Sequence, residues 1–400
     1  MGDDNNIEII RGYVFNKCSS LNEDLVFPKC TGSFNEMAFN GSGIKSISAP
    51  LVTSIGNRVI NNANGVFGLC KNLTRVYLPS VTSIGTFAFY GCTSLKEIAF
   101  GDLTIIDTYA FYNCTSLEFE ELNLPNLEIL GQNAFYGVKI KKISNLGKLT
   151  TLPTATSNTQ NFGDKNSLEE LILPEGILTI GEHVFSNYVS LKKIAIPDSV
   201  YKIEQYAFTS CQVESISANG VTTLVDAYSA DSKRGVFYNC TNLKHINMPN
   251  LTYIGHCAFT GCTSLEIEDF NFPELTHYGQ NALYGVKITR ISNLGKITAL
   301  NYTRNGTGYE QFGNKTTLKS VILPDTLTDI YPNSFAGYNN LEYVICQAIV
   351  PPSGLNSTEM GTSLNYPIYV PDASVTAYRE ASGWSAYADR IRPLSEYVEE

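Results

Sequence analysis

The chain has 400 residues, of which 38 are acidic and 28 are basic, and its formal net charge is −10. No basic stripe stands out that could neutralise phosphates, so the composition argues against nucleic acid as a partner, and it also disfavours anionic membrane surfaces. No apolar run approaches the length that an α-helix needs to span a bilayer.

The N-terminal segment, residues 1–33, precedes the clear repeats and is predicted to cap them. Polar residues follow Met1, and no signal peptide is visible there. Cys18 and Cys30 stand outside the register of the later cysteines. They could form a disulfide that staples the cap, or they could remain free thiols.

Residues 34–346 repeat with a period of about 22–23 residues, which corresponds to about a dozen coils. The motif GCTSL at 91–95 returns as NCTSL at 113–117, as NCTNL at 239–243 and as GCTSL at 261–265. A single coil of this length cannot bury its own apolar face, so neighbouring coils must stack. We therefore predict a solenoid whose function lies on its surface, not in one deep pocket.

Each coil contains parts with different predicted structures. The L-x-x-I-x-L part has alternating apolar residues and is bounded by Pro, which predicts a short strand with one buried face. The A-F-x-x-C part is too short for a free-standing helix and predicts one helical or 3₁₀ turn on the opposite side. The glycine before the A-F pair predicts a turn with positive φ or a close backbone approach. It stands at Gly56, Gly85, Gly131, Gly181, Gly255 and Gly279.

Two files of side chains are predicted to run through the core. The phenylalanines should stack on one another, and the cysteines should be buried as small, weakly polar residues. The predicted phenylalanine file is Phe89, Phe111, Phe135, Phe185, Phe208, Phe237 and Phe259. The predicted cysteine file is Cys70, Cys92, Cys114, Cys211, Cys240 and Cys262.

The full motif, I-G-x-x-A-F-x-x-C-x-x-L-x-x-I-x-L-P, resembles the BspA-like subfamily of leucine-rich repeats in bacterial surface proteins. Ordinary leucine-rich repeats have Asn where this chain has Pro, as at Pro79 and Pro125. The resemblance covers residues 34–346 and implies an α/β repeat fold. The expected architecture is one right-handed solenoid with a parallel β-sheet on one side, and with short strands and helical or 3₁₀ turns on the other.

The same resemblance implies a secreted or cell-surface protein, whose signal peptide or lipid anchor would be absent from this sequence. A cytoplasmic location stays open. The resemblance also implies that the partner is a host or bacterial surface protein, such as a protein of the extracellular matrix.

A block of several coils is duplicated within the chain. Residues 130–140 and 143–148 return as residues 278–288 and 291–296, about 148 positions later. The first half is predicted to hold one extra coil, near residues 81–102.

No enzyme motif is recognisable. The sequence has no Gly-rich phosphate loop, no H-E-x-x-H and no G-x-S-x-G. Cys257 and Cys262 lack the spacing of metal ligands. Carboxylates are paired at 120–121 and 268–269, but nothing marks them as facing each other across a substrate groove. We predict a non-enzymatic protein without cofactor or metal.

Strand residues that flank the buried Ile are candidates for partner binding, because leucine-rich repeat proteins usually bind on the open face of the sheet. These candidates are Arg75, Tyr77, Glu97, Asn123, Lys142, His245, Asn247 and Arg290. Both signs of charge occur in this set, and a sheet that is merely solvated would look similar.

Long insertions are further candidates. Tyr228, Tyr302 and Tyr309 stand among small polar residues in the insertions at 225–234 and 301–311, a composition typical of adaptable contact loops. Tolerated loop drift is the competing interpretation.

Residues 347–400 depart from the repeat and are predicted to cap its last coil. Asp372 follows Pro371 and is expected to be the N-cap of a short helix, and Trp384 is the single tryptophan of the chain.

We predict a protein-binding or adhesion repeat protein. The alternatives are a glycan-binding protein, which an aromatic platform in a groove with opposed carboxylates would favour, and a passive structural spacer.

Overall fold

A computed structural model describes residues 6–56, 65–225, 235–300, 310–331, 334–356, 360 and 365–398. The chain consists of two compact units, Met1–Ser199 (unit 1) and Val200–Glu400 (unit 2). In each unit the chain winds as a parallel β-solenoid with few helices, so the predicted fold class is confirmed at this level. The predicted domain boundaries at 33/34 and 346/347 stay predictions.

The strands of unit 1 are Asp24–Val26 (β1), Thr31–Phe34 (β2), Ser46–Ser48 (β3), Leu51–Ile55 (β4), Arg75–Leu78 (β5), Ser83–Ile84 (β6), Glu97–Phe100 (β7), Ile105–Ile106 (β8), Glu118–Asn123 (β9), Ile129–Leu130 (β10), Lys139–Asn145 (β11), Glu170–Ile172 (β12), Thr179–Ile180 (β13) and Lys193–Ala195 (β14). Parallel sheets form on two sides of the coils. We call the side with β1-β3-β5-β7 and β9-β11-β12-β14 the long-strand face, and the side with β2-β4-β6-β8-β10 the short-strand face.

The strands of unit 2 are Lys202–Ile203 (β15), Ser215–Ser217 (β16), Thr223–Leu224 (β17), His245–Asn247 (β18), Tyr253–Ile254 (β19), Glu266–Asn271 (β20), His277–Tyr278 (β21), Lys287–Asn293 (β22), Ala299–Leu300 (β23), Ser320–Leu323 (β24), Asp329–Ile330 (β25), Tyr343–Cys346 (β26), Ile368–Val370 (β27) and Ile391–Pro393 (β28). The long-strand face consists of β16-β18 and β20-β22-β24-β26-β27-β28, and the short-strand face of β15-β17-β19-β21 and β23-β25.

Alternation of side chains explains the strands of the long-strand face. In β5, Arg75 and Tyr77 are exposed, whereas Val76 and Leu78 are buried in the core. Because side chains of a strand point alternately to its two faces, every second residue of the strand is available to solvent. The predicted half-buried strands are therefore confirmed.

The A-F-x-x-C parts fold as consecutive β-turns rather than as the predicted helical or 3₁₀ turn. The Ala88 N–H donates to the Gly85 carbonyl at 3.2 Å, and Phe87 between them has a φ of 58°. A positive φ interrupts any right-handed helix and is typical of the third residue of a type II turn. The next amide is directed outward, because the Phe89 N–H donates to the Ala110 carbonyl of the following coil at 2.8 Å.

Close backbone approach, one of the two predicted reasons for the repeated glycine, is what the structure shows at Gly85, Gly131 and Gly279. A Cβ on Gly131 would lie 2.1 Å from the amide nitrogen of Thr108, and a Cβ on Gly279 would lie 2.3 Å from that of His256. Neither glycine has a positive φ, in contrast to Gly56, whose φ is 77°. A larger residue at 131 or 279 would push neighbouring coils apart.

The predicted phenylalanine file is present in both units. The Phe111 ring is stacked at 5.2 Å from Phe89 and at 5.5 Å from Phe135. Within unit 2, Phe237 stacks on Phe208 at 5.1 Å and on Phe259 at 5.2 Å. Other stacked members of unit 1 are Phe15, Phe39 and Phe67, and Phe162 with Phe185.

The predicted cysteine file is buried, and its thiols connect neighbouring coils. The Cys92 thiol donates to the Phe67 carbonyl of the preceding coil at 3.0 Å, and the Cys262 thiol donates to the Phe237 carbonyl at 3.1 Å. Burial raises the pKa of Cys70 from its ordinary value of 9.0 to about 12. The Cys70 thiol therefore stays protonated at neutral pH and remains a hydrogen-bond donor.

Cys18 and Cys30 are both free thiols. The prediction that Cys18 stands outside the repeat is wrong. The Cys18 N–H donates to the Phe15 carbonyl at 3.2 Å, and the Phe15 ring stacks on Phe39 at 5.2 Å. Phe15 and Cys18 therefore occupy the Phe and Cys positions of one further coil.

The C-terminal segment continues the long-strand face, because β27 pairs with β26, and β28 pairs with β27. It also contains helix α1 (Val375–Glu380) and 3₁₀ turns at Asp372–Ser374, Trp384–Arg390 and Leu394–Glu396. The predicted N-cap is wrong, because Ser374 precedes α1 and the Asp372 carboxylate accepts a hydrogen bond from the Ser395 amide at 3.0 Å. The Trp384 indole is fully buried and donates to the Pro352 carbonyl at 2.8 Å.

Candidate binding surfaces

Four charged residues of unit 1 stand side by side across the long-strand face. Glu121, Lys142, Glu170 and Lys193 occupy matching positions of β9, β11, β12 and β14. Their signs alternate, and the Lys142 ammonium lies 3.5 Å from the Glu170 carboxylate. Opposite charges on directly opposed strand residues stabilise a sheet. The charge of Lys142, a predicted binding residue, is therefore already engaged within the sheet.

Arg75, Tyr77 and Glu97 lie together near the start of the same face. Arg75 is directly opposite Glu97 on the next strand. Tyr77 is 53% exposed, and its strand neighbours are the small residues Ser48 and Ala99. The structure thus gathers three of the predicted binding residues into one cluster with an accessible ring.

The predicted residues Asn123, His245 and Asn247 are exposed strand residues that lie apart from this cluster. His245 stands opposite Ser215 on the long-strand face of unit 2. Asn247 donates to the Ser217 hydroxyl at 3.3 Å, so its amide bridges two coils. These three positions are placed where the alternation predicts.

The charge alternation stops in unit 2. Asp269, Arg290, Ser320 and Tyr343 occupy matching positions of β20, β22, β24 and β26. The Arg290 guanidinium donates to the Asp269 carboxylate at 3.0 Å, and the Ser292 hydroxyl donates to the same oxygen at 2.8 Å. Beyond Arg290, however, a short hydroxyl and an aromatic ring follow instead of a carboxylate and an ammonium.

A groove of about 460 Å³ opens at this break, and we call it the tyrosine groove. It is lined by Arg290, Lys319, Ser320 and Glu342 and by the rings of Tyr343, Tyr369 and Tyr397. The Tyr397 ring centroid lies 5.1 Å from that of Tyr343 and 5.2 Å from that of Tyr369. The Tyr397 and Tyr343 hydroxyls lie 3.0 Å apart.

A second aromatic surface lies in unit 1, along the β-turns, and we call it the turn-edge strip. Its five rings, all partly exposed, are Phe87, Tyr90, Tyr109, Tyr112 and Tyr136. Phe87 stacks on Tyr109, and Tyr90, Tyr112 and Tyr136 form a second stack, with centroid distances of 4.4–5.1 Å within the stacks. Edge-on contacts with centroid distances of 5.5 Å join the two stacks. Burial raises the pKa of Tyr112, and the nearby phenol groups, chiefly that of Tyr136, add to this rise.

Sequence reasoning missed both aromatic surfaces. A signal for the turn-edge strip was present, because Tyr90, Tyr112 and Tyr136 each follow the core phenylalanine in consecutive coils. For the tyrosine groove no local signal exists, since Tyr397 reaches it only through the fold of the C-terminal segment. The predicted loop residues Tyr228, Tyr302 and Tyr309 lie outside the described residues.

Within the described ranges, no helix is long and apolar enough to cross a bilayer. In the same part of the chain, no three His, Cys, Asp or Glu side chains gather as a set that could hold a metal ion.

Comparison with known families gives one extensive match. The family model described as "BspA type Leucine rich repeat region (6 copies)" matches residues 4–66, 63–162, 156–231 and 230–352. No match was found among curated proteins.

Several solved structures are similar in fold. A leucine-rich repeat protein from Bacteroides ovatus is 20% identical with a TM-score of 0.49, and the match covers 86% of this chain and 92% of that one. A leucine rich cell surface protein from Faecalibacterium prausnitzii is 18% identical with a TM-score of 0.29, covering 98% and 94% of the two chains. The pneumococcal vaccine antigen PcpA is 16% identical with a TM-score of 0.32, covering 93% and 77%.

Proposed function

Because the chain belongs to the BspA-type leucine-rich repeat family, we propose that it is a secreted or cell-surface protein that binds a partner protein and has no enzymatic activity. Leucine-rich repeat proteins typically bind other proteins, and no catalytic family is indicated for this chain. The partner that we propose is a protein of a host or bacterial surface, with extracellular matrix proteins as the first class to test.

The turn-edge strip is the observation that carries this proposal. Its five rings form one continuous, partly exposed aromatic surface that spans three coils. Tyrosine and phenylalanine are enriched at the centres of protein interfaces, because their rings bury a large area and lose little conformational entropy. The phenol hydroxyls add hydrogen-bonding groups at the rim of such a contact.

Unit 2 supports a binding role over a purely structural one. The slot that follows the core phenylalanine, or Leu283 in the third coil, holds Tyr238, Thr260 and Tyr284 in three consecutive coils there, so the aromatic file is interrupted. The core beneath Thr260 still stacks, with Phe237 and Phe259 at 5.2 Å. Stacking of the coils therefore does not require an aromatic ring in this slot.

The cluster of Arg75, Tyr77 and Glu97 is a second contact region that we propose for the partner, because Tyr77 is 53% exposed between small neighbours. We propose a smaller contribution from Lys142 and Arg290, whose charges are paired within the sheet. Asn123, His245 and Asn247 stay candidates as exposed strand residues, and Tyr228, Tyr302 and Tyr309 stay predictions.

The proposal is tested by surface plasmon resonance with immobilised fibronectin, fibrinogen, laminin and collagen. We expect the wild-type chain to bind at least one of them. The double variant Tyr112→Ser/Tyr136→Ser should bind about tenfold more weakly or worse, since interface tyrosines often contribute more than about 1.4 kcal/mol.

The matched control is Tyr238→Ser/Tyr284→Ser, which removes tyrosines from the same slot in unit 2 and should leave the affinity unchanged. Equal losses in both double variants would contradict a role for the strip. A wild-type chain that binds none of the four proteins would favour the passive spacer.

A further inference from the structure

We propose that the tyrosine groove of unit 2 is a binding site for a neutral saccharide. This inference goes beyond the proposed protein-binding function, which rests chiefly on the turn-edge strip of unit 1. It rests on the shape of the groove, on its charge balance and on a comparison with the duplicated block of unit 1.

The groove combines aromatic rings with short polar groups. Tyr343, Tyr369 and Tyr397 are partly exposed and stand at an angle to one another, with interplanar angles of 51° and 66°. Tilted rings leave part of each ring face open, whereas the parallel rings of the turn-edge strip cover one another. A sugar ring has an apolar C–H face that packs on such an aromatic face, while its rim of hydroxyls needs hydrogen-bond partners.

The charged groups of the groove are paired, which favours an uncharged ligand. The Arg290 guanidinium is 3.0 Å from the Asp269 carboxylate, and the Lys319 ammonium is 2.9 Å from the Glu342 carboxylate. Both cations of the groove thus have a carboxylate partner, and neither offers a full charge to an anion. The pairs nevertheless provide donors and acceptors for sugar hydroxyls, and hydrogen bonds to charged groups are the stronger ones.

The duplicated block of unit 1 shows the same positions occupied by charged residues. Register equates Arg290, Ser320 and Tyr343 with Lys142, Glu170 and Lys193 of unit 1. In unit 1 these are long charged side chains of alternating sign that lie against one another. In unit 2 the carboxylate is replaced by the hydroxymethyl group of Ser320, and the ammonium by a phenol ring.

The flanking ion pair has been retained in reversed order, which indicates that the groove is a local change. Lys319 and Glu342 pair at 2.9 Å, and the equivalent residues of unit 1, Glu169 and Lys192, pair at 3.5 Å. An ion pair between these two positions stabilises the sheet whichever of the two residues carries the positive charge. Only the Ser320 and Tyr343 positions of the central column carry no charge, while Asp269 and Arg290 remain paired at 3.0 Å, and the groove lies at this uncharged end.

The test is saturation-transfer difference NMR with the full chain and four neutral disaccharides: maltose, lactose, cellobiose and diacetylchitobiose. We expect saturation transfer to at least one of them at millimolar concentration. Ser320→Glu restores the carboxylate of unit 1 beside Arg290 and fills the groove, so it should weaken binding by about tenfold or more. Tyr343→Lys, the other unit 1 residue, should have the same effect and serves if Ser320→Glu fails to fold.

Glu170→Ser in unit 1 is the matched control and should leave saccharide binding unchanged. The proposal is overturned if no neutral disaccharide receives saturation, or if folded Ser320→Glu and Tyr343→Lys bind as well as the wild type. It is also overturned if anionic sialyllactose binds and the neutral disaccharides do not. The turn-edge variants Tyr112→Ser/Tyr136→Ser should bind the disaccharide normally, so failure of the protein-binding proposal can be told apart from failure of this one.

Discussion

A stacked phenylalanine and, in many coils, a buried cysteine hold neighbouring coils together in the core. Phe111 is 2% exposed and lies between the rings of Phe89 and Phe135. The Cys114 thiol donates to the Phe89 carbonyl of the preceding coil at 3.1 Å. The aromatic ring contributes buried apolar area, and the thiol gives the buried carbonyl a hydrogen-bond donor from the next coil.

Phe111→Ala should lower the free energy of unfolding of the chain by about 3–5 kcal/mol, because the removed ring leaves a cavity between two rings that cannot collapse around it. Urea unfolding followed by circular dichroism measures this change. Glu128→Ala, at an exposed position, should have little effect and is the control. A Phe111→Ala protein as stable as the control would contradict the stacked core.

The residues of the core could be predicted because they recur at fixed positions. The thiol-to-carbonyl bonds could not, since each joins residues 25–32 positions apart whose distance depends on how coils stack. The coil of Phe15 and Cys18 was missed although its Val14 matches Val66, Val184 and Val236 in the same slot of later coils.

Outward residues of neighbouring strands lie in register. Residues at matching positions therefore form a column across the long-strand face. In unit 1 the column of Glu121, Lys142, Glu170 and Lys193 alternates in sign. Cross-coil pairs flank this column, among them Lys141–Glu120 at 2.8 Å and Lys192–Glu169 at 3.5 Å. The excess of acidic residues therefore does not prevent local pairing on this face.

Glu170→Lys should destabilise the protein by about 1 kcal/mol, because it places three ammonium groups side by side in one column. Added salt should reduce this loss, since the groups are partly exposed and are screened. Urea unfolding at low and high salt measures both effects. Glu175→Lys makes the same charge change at an exposed turn outside the column, and an equal loss there would show that pairing in the column does not matter.

Strands were predictable at this scale and turns were not. Alternation of apolar residues identifies a strand, and register then follows from the repeat. The turns depend on positive φ at residues such as Phe87 and Tyr109, with φ of 58° and 57°. Side chains of this kind rarely adopt that conformation, so nothing in the sequence indicates it. The packing of adjacent coils imposes it, through amides that donate to the next coil.

Across the whole molecule, one type of coil carries different surfaces. The aromatic file of the turn edge runs through three consecutive coils of unit 1, and the equivalent file of unit 2 is interrupted at Thr260. The charged column alternates in sign across four strands of unit 1, whereas in unit 2 only Asp269 and Arg290 keep this pairing. The phenylalanine slot of the core stays apolar and buried in the duplicated coils of both units, although Leu283 stands where unit 1 has Phe135. We therefore expect partner binding to depend on the variable surface slots of the coils rather than on their core slots.

Deletion of all residues after Gln347 should cause unit 2 to self-associate. It removes β27, which pairs with β26, and it uncovers Ile345, which is 3% exposed in the intact chain. An unpaired strand edge is a template for pairing with other chains. Light scattering should therefore report oligomers for the truncated chain and a monomer for the exposed-site control Glu380→Ala. A monomeric truncated chain with wild-type stability would show that the C-terminal segment is dispensable for the solenoid.

The paired strands of this segment were not predictable, because its sequence lacks the repeat motif. A capping role followed only from its position after the last coil. Its strands, the buried Trp384 and the contribution of Tyr397 to the groove depend on the chain returning twice to the same sheet.

The most direct test of the account compares two adjacent residues on opposite sides of one turn, the buried Phe111 and the partly exposed Tyr112. The measurement is the affinity of folded Phe111→Ala and Tyr112→Ser for the matrix protein that binds the wild-type chain. The account predicts that Phe111→Ala, although destabilised, retains wild-type affinity below its melting temperature, and that Tyr112→Ser loses about tenfold or more. Wild-type affinity in Tyr112→Ser would contradict it, because the strip would then be a stack that serves only the fold.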